Sequence, residues 1–363
     1  MQRGNLMAIN IFVTTTFDTE ASSITKVHTY VSYFLDTDKF RVYMFVKKRR
    51  IKVPPHIIPI TLPKIRISLS PLKSVGNCLT TIGAILKIPA RILHIIAEPY
   101  LVPLVIACKK YAWEKKVILT FHGVPWDSRP HFVAGRILSK QADIVTSVSK
   151  YTAQLVRSTY GVESQVIYNG VDTEFFHPSK NYNEKPRVLF IGRLVSWKRP
   201  HWIAKSAKEF PQVNFIIHGR PPRHGSSLAP LLFKLARRLP NLVISTKFLT
   251  REEFRSLYQT SDIFCFPSTD WMPLVVLEAM ACGLPVLLHA VGGQAEVITN
   301  GKEGFTFRTY DEMKKYLQYL LEDENIRREM GKRARIRSLD FSWKLVAKKY
   351  EKLYEEVVSE AVS

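Results

Sequence analysis

Residues 188–200 read VLFIGRLVSWKRP. Four apolar residues in a row, Val188 to Ile191, have the continuous hydrophobicity of a strand buried on both faces, the kind that parallel sheets contain. Gly192 follows directly, and a glycine after a buried strand lets a ligand approach the backbone. A helix opening after such a turn presents unpaired N–H groups suited to phosphate. Arg193 and Lys198 place two cations beside the turn. One glycine with two basic residues also fits a solvated surface loop, so this stretch needs company.

That company is PSTDWMPLVVLEAMACGLPV, residues 267–286. Here a strand runs into a polar loop and a helix opens at once. Asp270 and Glu278 bracket the loop and the helix start. Carboxylates in these places can accept hydrogen bonds from hydroxyl groups, while the amides near Leu274 and Val275 suit phosphate oxygens. Glu278 also fits a first-turn charge favoured by the helix dipole.

Outward from these two strings, β-branched runs recur. In the second half they are Val188–Ile191, Val213–Ile217, Leu242–Ser245, Ile263–Phe266 and Pro285–Leu288. In the first half they are Ile9–Val13, Arg41–Val46, Ile92–Ile96, Val117–Thr120, Ile144–Val148 and Gln165–Tyr168. Most are separated by enough chain for a crossover helix, which predicts parallel sheets covered by helices. The chain has 363 residues, 46% of them hydrophobic and 23% charged, a globular balance too long for one core. Two doubly wound α/β domains are expected, residues 1–180 and 181–340, with the polar stretch Phe175–Pro186 as linker. Residues 341–363 carry Trp343, Leu345, Val346, Tyr350, Leu353, Tyr354 and Val357 at helical spacing, which predicts a terminal helix packing back towards the first domain.

The net charge is +22, concentrated in the first 120 residues, and it draws the protein to polyanions or anionic membranes. No zinc spacing, helix-turn-helix or RNA-stacking signature accompanies it, so specific nucleic-acid binding is not expected. An anionic membrane surface is the expected partner, beside the plainer reading of a generally basic surface. The apolar zone Leu72–Cys108 is broken by Lys73, Lys87, Arg91, Glu98 and several prolines, which excludes a spanning helix there. It reads as an interfacial helix or as a helix packed on its own sheet. Cys78, Cys108, Cys265 and Cys282 lie far apart without a CxxC pair, which predicts reduced core residues and neither zinc site nor disulfide framework. The N-terminus turns polar too soon for a signal peptide, so the expected place is the cytoplasm, peripheral at the membrane face.

The two strings resemble those of glycosyltransferase family 4, retaining GT-B enzymes. The resemblance extends in order through LHIIAEPYLVPL from Leu93, LTFHG from Leu119, YNGVDTEFF from Tyr168, HAVGGQAEVI from His289 and NGKEGF from Asn300, and is weakest between Lys47 and Arg91. It implies two Rossmann-like domains facing a cleft, and transfer of a sugar from a nucleotide-sugar donor to a glycan or lipid-linked acceptor. It implies that Gly192, Arg193 and Lys198 hold the donor diphosphate. Asp270 and Glu278 match the family's Glu-x7-Glu pair, with Asp270 at the donor sugar near the reacting carbon and Glu278 on the ribose. His122 matches a histidine that hydrogen-bonds the donor sugar, so His122 and Asp270 are the expected catalytic residues. No metal and no cofactor are implied, the nucleotide-sugar being a substrate. The family's Gly-Gly loop after the first strand is replaced here by Ala21, Ser22 and Ser23. This predicts a rebuilt loop, with Ser22, Ser23 and Lys26 as acceptor contacts and His28 beside Lys26 as a further one, unless Lys26 and His28 lie on an ordinary exposed helix face. A sugar-nucleotide epimerase, which would convert donor without acceptor, shares this fold. A phosphorylase would need a lysine-bound pyridoxal group, and a non-catalytic membrane scaffold would show no donor turnover.

Overall fold

The computed structural model describes residues 8–16, 23–45, 53–60, 87–98, 101–111, 114–124, 128–179, 184–222 and 225–359. They form two compact units, one running to Tyr168 and completed by the chain from Trp343, the other spanning Asn169–Ser342.

The first unit holds seven parallel strands in the order β3-β2-β1-β4-β5-β6-β7. They are β1 (Ile9–Thr16), β2 (Phe40–Phe45), β3 (Ile57–Ile60), β4 (Ile92–Ile96), β5 (Lys116–Phe121), β6 (Ile144–Ser147) and β7 (Gln165–Val166). Helix α1 (Ser23–Phe34) follows β1, and α2 (Val102–Tyr111), α3 (Arg129–Gln141) and α4 (Lys150–Tyr160) link the later strands. Alternation along the strands decides what covers each face. Leu93, Ile95, Val117, Leu119 and Phe121 join Leu104, Val105, Cys108, Ala134, Leu138 and Val156 of α2, α3 and α4 in one apolar core. The intervening His94 and Thr120 turn to the other face. The terminal helix of the chain lies there, packed on α1, with Tyr30 and Trp343 stacked at 5.5 Å and 8°.

The second unit holds six parallel strands in the order β10-β9-β8-β11-β12-β13. They are β8 (Arg187–Ile191), β9 (Asn214–His218), β10 (Leu242–Ser245), β11 (Ile263–Phe266), β12 (Val286–His289) and β13 (Gly304–Phe307). Its helices are α5 (Pro200–Glu209), α6 (Ala229–Ala236), α7 (Arg251–Gln259), α8 (Leu274–Ala281), α9 (Tyr310–Glu322) and α10 (Glu324–Leu339), and α11 (Trp343–Ser359) is the terminal helix of the first unit. The interior of β8 and β11 is wholly apolar, as strands covered on both faces must be.

The chain divides after Tyr168, twelve residues before the break expected after residue 180. Residues 169–179, which include the start of the expected linker, are tied to the second unit through their backbone. Arg335 of α10 donates to the carbonyls of Thr173 (2.9 Å) and Phe176 (2.9 Å), and also to that of Ala281 (3.0 Å). Polar composition marked a loop but not which unit it packs on. Two strands were not anticipated, β3 and β13. Both are four-residue sheet edges, and β3 contains Pro59, which an edge tolerates because one side of it makes no ladder. Cys108, Cys265 and Cys282 are buried free thiols. Among the described residues no helix is long and apolar enough to cross a membrane. Residues 72–86 of the apolar zone read as interfacial lie outside the described residues, and its last part falls in β4 and α2.

Candidate active site

In the second sheet the chain runs outward from β8 to β9 and β10, then returns to β8's other side to lay down β11, β12 and β13. Where strand order reverses, the loops leaving adjacent carboxyl ends diverge and open a crevice, the usual ligand site of such sheets. The loop leaving β8 is Gly192–Lys198 and the loop leaving β11 is 267–273. The topology therefore gathers both sequence strings at one place.

The first loop is held from beneath. Gly192 N–H donates to the His218 carbonyl (3.0 Å) and Leu194 N–H to that of Arg220 (3.1 Å). A Cβ on Gly219 would strike the Gly192 carbonyl, so the two loops approach closely only because residue 219 has no side chain. The turn Ser196–Lys198 is a short 3-10 helix closed by Arg199 at φ 51°, a left-handed conformation that costs a non-glycine residue about 1–2 kcal/mol. Arg199 also donates to the Pro267 carbonyl (2.7 Å), which ties this bend to the second loop.

That bend turns Lys198 inward. It is 8% exposed and forms an ion pair with Asp270. Its ammonium also lies 4.4 Å from the centre of the Trp197 ring. Burial lowers the Lys198 pKa, opposed by Asp270 and reinforced by Arg193. Arg193 itself is exposed and stacks over Trp197 at 5.4 Å. Two cations of different character thus flank one turn, one dry and paired, the other exposed over an indole ring.

Asp270 is fixed through its backbone. Its N–H donates to Gln294 Oε1 (3.0 Å), and its carbonyl accepts from Gly293 N–H (2.8 Å). Gln294 is completely buried, and its Nε2 lies 2.9 Å from the Ser268 carbonyl, 2.9 Å from that of His289 and 2.7 Å from that of Val291. One amide therefore stitches the loop after β11 to the loop after β12. Gly292, at φ 121°, makes room for it, because a Cβ there would meet Asp270 and the Gln294 amide. Asn169 adds a second tie from its amide to the Met272 carbonyl (2.8 Å).

Helix α8 opens after Pro273 with no side-chain cap, leaving the N–H groups of Leu274 and Val275 without intrahelical partners. Glu278 stands just beyond the first turn and accepts a hydrogen bond from the buried Tyr258 hydroxyl (2.8 Å). Burial, with Glu278 beside it, pushes the Tyr258 pKa well up, so the phenol stays a donor. Gln294, Asn169 and Tyr258 are the supports that sequence reading missed. The first two sat inside strings noted only as landmarks, and Tyr258 gave no local signal.

In the first unit His122 follows β5 and is partly exposed. Its Nε2 lies 3.1 Å from Nε2 of His28, which is 2% exposed. The expectation of an exposed helix face at His28 is corrected: α1 is sandwiched between its sheet and α11, so His28 points inward. Lys26 is half-buried on α1 and Ser23 opens that helix, while Ser22 lies outside the described residues.

The family model Glycosyl transferases group 1 matches residues 171–337, and the model Glycosyltransferase Family 4 matches residues 27–175. The solved sucrose-phosphate synthase of Thermosynechococcus elongatus superposes with a TM-score of 0.82 at 18% identity, over 97% of this chain and all of that one. The chain is a family 4-like GT-B glycosyltransferase. The glycosyltransferase is also similar to Anabaena HepE solved in complex with UDP-glucose, with a TM-score of 0.73 at 16% identity over 97% of this chain and 100% of that one. Among curated relatives it is 30% identical over 189 residues to the Campylobacter jejuni N,N'-diacetylbacillosaminyl-diphospho-undecaprenol alpha-1,3-N-acetylgalactosaminyltransferase, which is 51% of this glycosyltransferase and 48% of that protein.

Proposed function

We propose that the enzyme transfers a sugar from a nucleotide-sugar to a hydroxyl of a glycan or lipid-linked acceptor with retention of anomeric configuration. The observation that carries this reading is the convergence of Arg193, Lys198, Asp270 and the uncapped start of α8 at the strand reversal of the second unit. Arg193, Lys198 and the N–H groups of Leu274 and Val275 meet the charge that builds on the departing diphosphate. Asp270 holds the sugar, Glu278 takes the ribose, and His122 of the first unit is assigned a hydrogen bond to the donor sugar. The acceptor oxygen attacks the anomeric carbon on the face that the diphosphate leaves. The bond from that carbon to the diphosphate breaks, and the acceptor proton passes to a phosphate oxygen. The scheme assigns no step to a metal, a cofactor or an enzymic nucleophile.

The relatives supply probes. UDP-glucose, bound by HepE, is the first donor to try, and the undecaprenol-diphosphate acceptor of the Campylobacter transferase supports a lipid-linked acceptor. A ligand at a hundred times its Kd adds about 2.7 kcal/mol of stability, a shift that a melting curve resolves. A nucleotide-sugar should raise the melting temperature of the wild type, and much less that of Glu278→Ala at the same concentration. Failure of UDP-, GDP- and ADP-sugars alike to shift the wild type would refute the donor assignment. Conversion of donor without acceptor would favour the epimerase.

For the acceptor side we assign Ser22, Ser23 and Lys26, and for a membrane partner the outer face of α2 and α3. Ile106, Tyr111, Phe132 and Val133 are exposed there, beside Lys110, Arg129, Arg136 and Lys140, and neither helix contains a carboxylate. Each such cation near an anionic bilayer contributes about 1 kcal/mol. Replacing Arg129, Arg136 and Lys140 by serine should therefore weaken sedimentation with phosphatidylglycerol vesicles about a hundredfold. Equal sedimentation of variant and wild type would remove this face from consideration.

A further inference from the structure

The first unit contains a buried polar cluster that the reaction scheme leaves unused. His94 is held at both ring nitrogens, Nδ1 by the Tyr354 hydroxyl of α11 (2.7 Å) and Nε2 by the Thr120 hydroxyl (2.7 Å), which in turn lies 2.7 Å from the Thr146 hydroxyl. His28 packs edge-on against this anchored ring, centroids 4.8 Å apart at 74°. On its other side it meets His122, centroids 5.2 Å apart and Nε2 to Nε2 at 3.1 Å. The His28 ring is therefore wedged between one imidazole that cannot turn and another that carries a proposed substrate contact.

Two facing Nε2 atoms impose a chemical restriction. A neutral imidazole has one N–H and one bare nitrogen, so a hydrogen bond between two Nε2 atoms needs one ring protonated at Nε2 and the other at Nδ1. If both carried Nε2–H the protons would collide, and if neither did the lone pairs would. Burial favours the neutral forms, pushing His28 down to about 4 and His122 well below the usual histidine range. Whichever tautomer His28 adopts, His122 takes the complementary one, and its Nδ1 is then fixed as either donor or acceptor towards its ligand.

We propose that His28 is the positioning residue of His122, holding its ring in one tautomer and one orientation for the donor sugar. This inference rests on the sugar-binding role proposed for His122. His28 itself touches neither substrate nor reacting atoms. Its effect should fall on turnover and leave nucleotide affinity alone, since the nucleotide contacts lie in the second unit.

The test reads the ring directly. In imidazole-nitrogen NMR of the wild-type protein, His122 should show one pyrrole-like and one pyridine-like nitrogen at neutral pH, and in His28→Phe the two signals should move towards an exchange average. His28→Phe should lower kcat about tenfold, with nucleotide affinity within about twofold of wild type. His28→Gln, whose amide can donate or accept at that place, should recover much of the loss. An averaged His122 ring in the wild type, or full turnover and an unaltered His122 spectrum in a folded His28→Phe, would overturn the inference. The function proposed above would survive either result if His122→Ala still abolished transfer. Should His28→Phe not fold, the wild-type spectrum and His28→Gln decide.

Discussion

Lys198→Met should lower kcat by two to three orders of magnitude, the usual effect of removing one preorganised donor from a developing anion. Lys198 is a strong case because it is nearly dry and its position is set by the turn closed at Arg199. The same burial makes the variant costly to the fold. Asp270 would lose its cation, and an uncompensated buried partner costs about 3–5 kcal/mol. Melting curves should show that loss, and the double variant Lys198→Met with Asp270→Asn should recover the stability without the turnover. Arg193→Ala gives the cleaner readout: the side chain is exposed, so turnover should fall about a hundredfold with the melting temperature nearly unchanged. Normal rates in both variants would remove the diphosphate role from this loop. Acidity adds a sign. Because burial lowers the Lys198 pKa, its charge is lost sooner on the alkaline side than an ordinary lysine's. kcat/KM should decline there, and Lys198→Arg should move that decline out of range.

Gln294→Leu should have the second largest effect, on stability and donor affinity together. The substitution is close in volume but strands the Asp270 N–H and leaves the carbonyls of Ser268, His289 and Val291 without their shared donor. At about 1–3 kcal/mol for each of these four groups left unsatisfied, a loss of at least about 4 kcal/mol is expected in denaturant titration. Gln294→Glu keeps the Asp270 bond but turns an oxygen on those carbonyls, so it should be no better at neutral pH. If either variant unfolded at the wild-type midpoint and bound nucleotide normally, the amide would not be the clamp described.

Much of this architecture is visible in the chain before folding, and the exceptions share a cause. The interior strands are legible because burial on both faces leaves unbroken apolar runs such as Val188–Ile191. The edges β3 and β13 are not, because Pro59 interrupts the one and Gly304 and Thr306 dilute the other. Arg193, Lys198, Asp270 and Glu278 stand out because loops at the ends of such runs have few reasons to carry those groups. The pairing of Lys198 with Asp270 joins residues 72 positions apart and leaves no local trace. His28 was misplaced on an exposed face for a similar reason: the rings it packs between, His94 and His122, lie far along the chain, the second of them 94 positions on.

The terminal helix α11 sets an order of events during synthesis. Translation delivers residues 1–168 first, yet the face of their sheet that receives Tyr350 and Tyr354 waits until the entire second unit has been made. The second unit, continuous from Asn169 to Ser342, can close on itself while the first still lacks its last layer. The half that emerges earliest from the ribosome is thus the half that matures last, and a nascent chain stalled before Trp343 would present His94 and the α1 surface bare to chaperones and proteases.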